Sequence, residues 1–175
     1  MGDSLADAVR ADKLTGMRAT PLAQDGEIIF WDVLCAPETE AARYQPLTHA
    51  VVGVRHGEDL LMLKAVRKGT WEFAGGFIDA GETPREAAGR ELYGETGQLS
   101  GELRYVGVMH YDLGTLNIAG QTGEVYGALY LTEAESRSVT VQQAEHDAFR
   151  WLAAGAPLDE FDPFTAALVR VMRGA

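Results

Sequence analysis

One cysteine, Cys35, is all the thiol chemistry this chain of 175 residues has, which excludes an internal disulfide framework and fits a reducing cytoplasm. No partner for a nucleophilic thiol is visible beside it, so Cys35 reads as a small buried hydrophobe. Long apolar runs are missing too: none approaches the 18 or more residues that a membrane-spanning helix needs. The opening MGDSLADAVRADK is acidic and polar where a signal peptide would carry an apolar core. Basic residues are scarce. Fifteen Lys and Arg against 26 Asp and Glu leave a formal net charge of −11, and with no basic stripe in the sequence a polyanion such as nucleic acid is repelled. Internal repeats and low-complexity segments are likewise absent.

What remains is ordinary for a globular domain, at 46% hydrophobic and 23% charged residues. Strand patterns cover residues 27–34, 48–54 and 60–66, the last two forming a hairpin that turns through His56, Gly57, Glu58 and Asp59. Two more strands are expected at 103–111 and 125–131, separated by a glycine-containing loop at 113–123, and a short one at 149–152. Phe164, Leu168 and Val171 fall at helical spacing, which predicts a helix over 163–172. Residues 37–43 read as a solvated turn or short helix. The first 47 residues divide into a tail, 1–16, with few large apolar groups, and a segment near 26–34 able to add a strand or hairpin to the domain at 48–175.

The segment from Gly75 to Leu99, GGFIDAGETPREAAGRELYGETGQL, is where spacing implies chemistry. Thr83, Pro84 and Glu86 make an N-cap, a proline at the first helical position and a capping-box glutamate, so a helix should begin at Pro84. Gly97 suits the left-handed position that ends a helix, which places its last residue near Thr96. On that helix Glu91 and Glu95 are four residues apart and share a face. Side by side they form an ordinary solvated acidic face or, because two carboxylates repel unless a cation lies between them, a site whose oxygen ligands suit magnesium or manganese. Gly89 and Gly94 each weaken the helix interior.

This segment resembles the Nudix box: glycine, five residues, glutamate, seven residues, then Arg-Glu-hydrophobic-any-Glu-Glu-any-Gly-hydrophobic. Gly76, Glu82, Arg90, Glu91, Leu92, Glu95 and Gly97 fall on seven of its nine defined positions. Gly94 stands where the family usually has the first glutamate of its pair, Gln98 where it has a hydrophobic residue, and Ala74 where many relatives have proline. The resemblance implies an α/β fold with a mixed sheet sandwiched between helices. It implies a Mg2+ or Mn2+ site at the Gly75 carbonyl, Glu91 and Glu95, and a structural salt link between Glu82 and Arg90. It also implies a distal acid, Glu145, acting as a metal ligand or general base, with Glu124 competing for that role.

The activity implied is divalent-metal-dependent hydrolysis of a nucleoside diphosphate linked to another group, with a small-molecule nucleotide as partner and a cytoplasmic setting. The leading expectation is a nucleoside triphosphate, oxidised or otherwise non-standard, cleaved to monophosphate and pyrophosphate. The alternatives are an ADP-ribose-type nucleoside diphosphate sugar and, because of Gly94, a nucleotide-binding module with little or no turnover. In some relatives an N-terminal sheet builds a homodimer over a nucleotide sugar. Arg67 and Lys68 are candidates to contact phosphates, or are surface residues lying along the protein. His110 and Tyr111 are candidates to stack on or hydrogen-bond a base. Otherwise Val106, Val108 and His110 alternate on one face of a strand, with Met109 and Tyr111 on the other.

Overall fold

The computed structural model describes residues 20–98, 101–141 and 145–175; the expectation of a tail at 1–16 lies outside them. Among the described residues, nine strands and two α-helices follow one another. The strands are β1 (Ala23–Asp25), β2 (Ile28–Leu34), β3 (Leu47–His56), β4 (Asp59–Ala65), β5 (Trp71–Glu72), β6 (Ala74–Phe77), β7 (Arg104–Asp112), β8 (Glu124–Glu133) and β9 (His146–Leu152). The helices are α1 (Pro84–Thr96), between β6 and β7, and α2 (Pro163–Gly174), after β9; a 3-10 turn spans Glu38–Arg43.

Along the sheet the order is β1-β2-β7-β8-β3-β4-β5. Only β3 and β8 run parallel; the other paired strands are antiparallel. The β3–β4 hairpin pairs only at its tip, Arg55 with Leu60 and His56 with Asp59. Beyond the tip the two strands part. β3 takes β6 as its neighbour and β4 takes β9, and the opening between them is where the site forms. The segment at 23–34, ahead of the main pattern, adds β1 and β2 to the sheet edge through β7.

Both faces of the sheet are covered, so β4, which reads DLLMLKA, carries an unbroken apolar run from Leu60 to Leu63. Leu61 and Leu63 point to one side and pack with Ala87, Ala88 and Leu92 of α1. Leu60 and Met62 point to the other and pack with Val169 and Met172 of α2. Mixed sheet and flanking helices therefore form the layered α/β architecture that was expected.

Local chemistry sets the bounds of α1. The Thr83 side chain accepts from Glu86 N–H while Glu86 Oε2 accepts from Thr83 N–H at 2.8 Å, closing a capping box. At the other end Gly97 adopts φ 65°, the left-handed conformation that costs a glycine nothing.

Three local expectations are corrected. Cys35 is exposed rather than buried, because it follows the end of β2 and leaves the sheet. A register shift in β7 between Tyr105 and Gly107 inserts one extra residue, and Val106 packs with the cluster that holds Met109 and Tyr111 instead of alternating with them. The last strand starts at His146, three residues before the short strand read from sequence.

Gly89 lies inside α1, where a Cβ would meet nothing within 4 Å. Gly89→Ala should therefore stabilise the protein by about 0.5–1 kcal/mol and raise the melting temperature by roughly 2–4 °C. Thr83→Ala should lose about 1 kcal/mol through the cap. Thermal unfolding followed by circular dichroism checks both, and a Gly89→Ala protein less stable than the parent would contradict the open space around that residue.

Candidate active site

The site begins with a strand that has no side chains on two successive residues. Gly75 and Gly76 of β6 pair with Val51 and Ala50 of β3, and α1 lies against them. A Cβ on Gly76 would sit 2.3 Å from Glu91 Oε1, which would have to swing aside, whereas a Cβ on Gly75 would sit 2.5 Å from the Ala50 carbonyl oxygen and 3.0 Å from Val51 Cα, backbone atoms that cannot give way, so glycine is required at Gly75 for β6 to lie against β3. Glu95, one turn further along, is 5% exposed and accepts a hydrogen bond from Gly75 N–H at 3.0 Å.

The loop joining β6 to α1 is held by Arg90. Its Nε donates to Glu82 Oε1 and its Nη2 to Glu82 Oε2, both at 2.8 Å, while Nη2 also reaches the Phe77 carbonyl at 2.9 Å. This bidentate link holds the Glu82 carboxyl far down, at about 2. A third arm of the guanidinium, Nη1, donates to Glu91 Oε1 at 2.6 Å and so fixes the Glu91 carboxylate over Gly76.

From the opposite side β5 brings Glu72 and the start of β9 brings Glu145 and His146. Glu145 is anchored by its carbonyl, which accepts from Val66 N–H at 2.9 Å. Ligand atoms of Glu95, Glu145 and His146 all lie within 4.8 Å of one another. His146, 2% exposed, has Nε2 at 3.1 Å from Glu72 Oε1, and Lys68 Nζ donates to Glu72 Oε2 at 3.3 Å. Burial pushes the Glu95 carboxyl up to about 8; the Gly75 N–H opposes this, and the nearby Glu91, Glu145 and Glu72 add to it. Three acids gathered around the buried Glu95 are costly without a counter-charge. That excess of oxygen donors fits a divalent cation, with Glu91, Glu95, Glu145 and the Gly75 backbone as the groups able to hold it.

Beside the acids lies a cavity of about 430 Å³ whose wall includes Gly75, Gly76, Glu72, Lys68, Phe77, Tyr111 and Phe164. Tyr111 stacks on Phe30 at 4.5 Å between ring centres and meets the Phe164 edge at 6.3 Å. His49, also on the wall, is held neutral by burial, which lowers its pKa to about 4. A wall that combines aromatic side chains with polar groups next to the acids suits a molecule that carries an aromatic base and phosphates. A larger groove of about 860 Å³ runs along Glu102, Glu133 and Glu135, but it shares none of these residues.

A Nudix domain model matches residues 44–172, most of the chain. The chain belongs to the Nudix family. A NAD-capped RNA hydrolase, NudC, of Haemophilus influenzae is 31% identical over 119 residues, covering 65% of this chain and 41% of the relative. The chain thus spans about two fifths to one half of the length of the curated relatives it matches. Among solved structures, a mutator MutT protein of Bacillus halodurans superposes with a TM-score of 0.59 at 19% identity, covering 74% of this chain and 84% of the other. The Nudix domain of Shewanella oneidensis NrtR, complexed with ADP ribose, superposes with a TM-score of 0.56 at 18% identity, covering 79% and 97%. At these identities the structures show the Nudix fold.

Of the residues singled out in the Nudix box, Gly75, Gly76, Glu82, Arg90, Glu91 and Glu95 meet at one place. Glu145 joins them, whereas Glu124 sits exposed at the start of β8, 3.4 Å from His110. Lys68 and Tyr111 line the cavity. Arg67 is exposed and is not part of its wall. His110 points to the other face of β7 and stacks on Tyr126 at 4.8 Å, so it takes no part in the cavity. Sequence reasoning missed Glu72, His146, His49 and Phe164. Glu72 stands three residues before Gly75, and His146 directly follows Glu145.

In chelator, Glu95 gives a signed pH dependence. The unfolded glutamate titrates near 4.5 and the folded one near 8, so its contribution to stability is complete below pH 4.5 and is lost as pH rises through about 8. The limiting slope is about 1.4 kcal/mol per pH unit. Glu95→Gln should flatten that fall in melting temperature between pH 5 and 8; an unchanged slope would show that Glu95 is not buried as a neutral acid.

Proposed function

We propose that the chain hydrolyses a phosphoanhydride bond in a nucleoside diphosphate linked to a second group, using Mg2+ or Mn2+. The observation that carries this is the buried Glu95 among Glu91, Glu145 and Glu72, set against a glycine strand at the mouth of an aromatic-walled cavity. When bound, the cation offsets phosphate charge and makes a water more acidic. The protein's own groups do the rest. Tyr111 and Phe164 hold the base, Lys68 faces the phosphates, Arg90 keeps the Glu91 carboxylate in place, and a carboxylate of the acidic set accepts the water's proton.

Substrates of the ADP-ribose or NAD type are favoured by the NudC relatives, described as NAD-capped RNA hydrolases, and by the neighbour complexed with ADP ribose. Nucleoside triphosphates are the second reading, favoured by the aromatic side chains and Lys68 on the wall of the cavity. Incubation with ADP-ribose, NAD and a panel of nucleoside triphosphates, with Mg2+ or Mn2+, separates them by product chromatography. Turnover of none would sink both readings and leave a binding module.

Glu95→Gln should lower turnover at least about 100-fold with circular dichroism unchanged. Gly94 is exposed and a Cβ there would meet nothing within 4 Å, so Gly94→Glu should fold normally and raise turnover at limiting Mg2+. A rate that stays the same would show that no oxygen ligand is lacking.

A further inference from the structure

His146 occupies an unusual position for a core histidine. It is 2% exposed, yet it stands at the mouth of the acidic cluster, with a ring nitrogen among ligand atoms of Glu95 and Glu145 that all lie within 4.8 Å of one another. Its two nitrogens are not equivalent. Nε2 is 3.1 Å from Glu72 Oε1, and a carboxylate only accepts, so Nε2 carries the ring proton. In the neutral ring Nδ1 is then the bare nitrogen, with its lone pair free. Among the described residues it is buried without any hydrogen-bond partner. A buried, unpaired acceptor costs on the order of 1–3 kcal/mol, so this atom is in want of a donor or a cation.

The arrangement behind the ring is the one that prepares an imidazole to bind metal. A metal-binding histidine donates its other N–H to a carboxylate, which fixes the tautomer and the ring orientation. Glu72 does this for His146, and Lys68 Nζ, 3.3 Å from Glu72 Oε2, holds Glu72 in turn. Meanwhile Gly94 leaves α1 without a carboxylate that the Nudix box usually has there.

We infer that His146 Nδ1 is a ligand of the cation held by Glu95 and Glu145, making the centre a mixed nitrogen and oxygen site that prefers cobalt, zinc or similar first-row ions to magnesium. An imidazole contributes little to Mg2+, a hard ion that keeps its waters, and much to ions later in the row. The inference rests on the cation site of the proposed function but not on any substrate.

Co2+ is the probe. In wild-type protein loaded with Co2+, the proton NMR spectrum in H2O should show one strongly shifted exchangeable resonance, the Nε2–H of His146, that vanishes in D2O. His146→Gln, which keeps a donor for Glu72, should lack it. The ratio of Co2+ to Mg2+ affinity, measured by calorimetry, should fall roughly 10- to 100-fold in that variant. Bound Co2+ without such a resonance in the wild type, a resonance that survives in His146→Gln, or an unchanged affinity ratio would each overturn the assignment. Should His146→Gln fail to fold, single replacements of His49, His56 and His110, the other three histidines, decide the matter. Persistence of the resonance in all three supports His146; its loss in any one overturns it. Nitrogen ligation without hydrolysis of any nucleotide would defeat the proposed activity alone. Hydrolysis with an all-oxygen cation site would defeat this inference alone.

Discussion

The close approach of α1 to the glycine strand β6 is the constraint on which the site depends. With a side chain on Gly76 the Glu91 carboxylate could not lie where it does, 2.3 Å from the position of a Cβ. Beside it Gly75 N–H donates to Glu95 at 3.0 Å. The sheet serves the same end: β3 and β4 separate beyond Arg55 and Leu60, and β6 and β9 fill the two free edges. One gap in the hairpin thus brings helix acids from one side and strand acids from the other to a shared point.

Electrostatics makes that gathering costly, and the protein answers it locally. The whole chain carries −11, so no general positive field draws phosphates in. Arg90 is spent on geometry, spanning Glu82, Phe77 and Glu91 at once. Lys68 is coupled to Glu72. The remaining imbalance sits on Glu95, whose carboxyl is driven towards its neutral form. A protein that binds an anion through an acidic site needs a cation between the two, and the site carries that need in its own proton affinity.

Much of this was legible in the sequence where local chemistry decides. Thr83, Pro84, Glu86 and Gly97 marked both ends of α1 correctly because caps and left-handed glycines act within a few residues. The Glu82–Arg90 link and the meeting of Glu91 with Glu95 followed from the Nudix spacing. The rest depends on tertiary pairing. Strands β5 and β6 are two and four residues long and β6 contains two glycines, so they look like loop until β4 and β3 supply their partners. Alternation left the His110 face open, and the neighbour strand settled it through Tyr126.

His146 was hidden for a related reason, and its case shows how the site is made. On a regular strand, Glu145 and His146 would point to opposite faces. Here Glu145 lies just outside β9, and the β4–β9 register shifts between Lys64, which pairs with Ala148, and Ala65, which pairs with His146. Asp147 is the extra residue, and such an irregularity re-aims the side chains beside it. Both Glu145 and His146 then reach Glu95. The missing acid at Gly94 and the added histidine at 146 are thus far apart in sequence yet bear on one centre. A pattern that scores only α1 records the loss and cannot see what stands across from it.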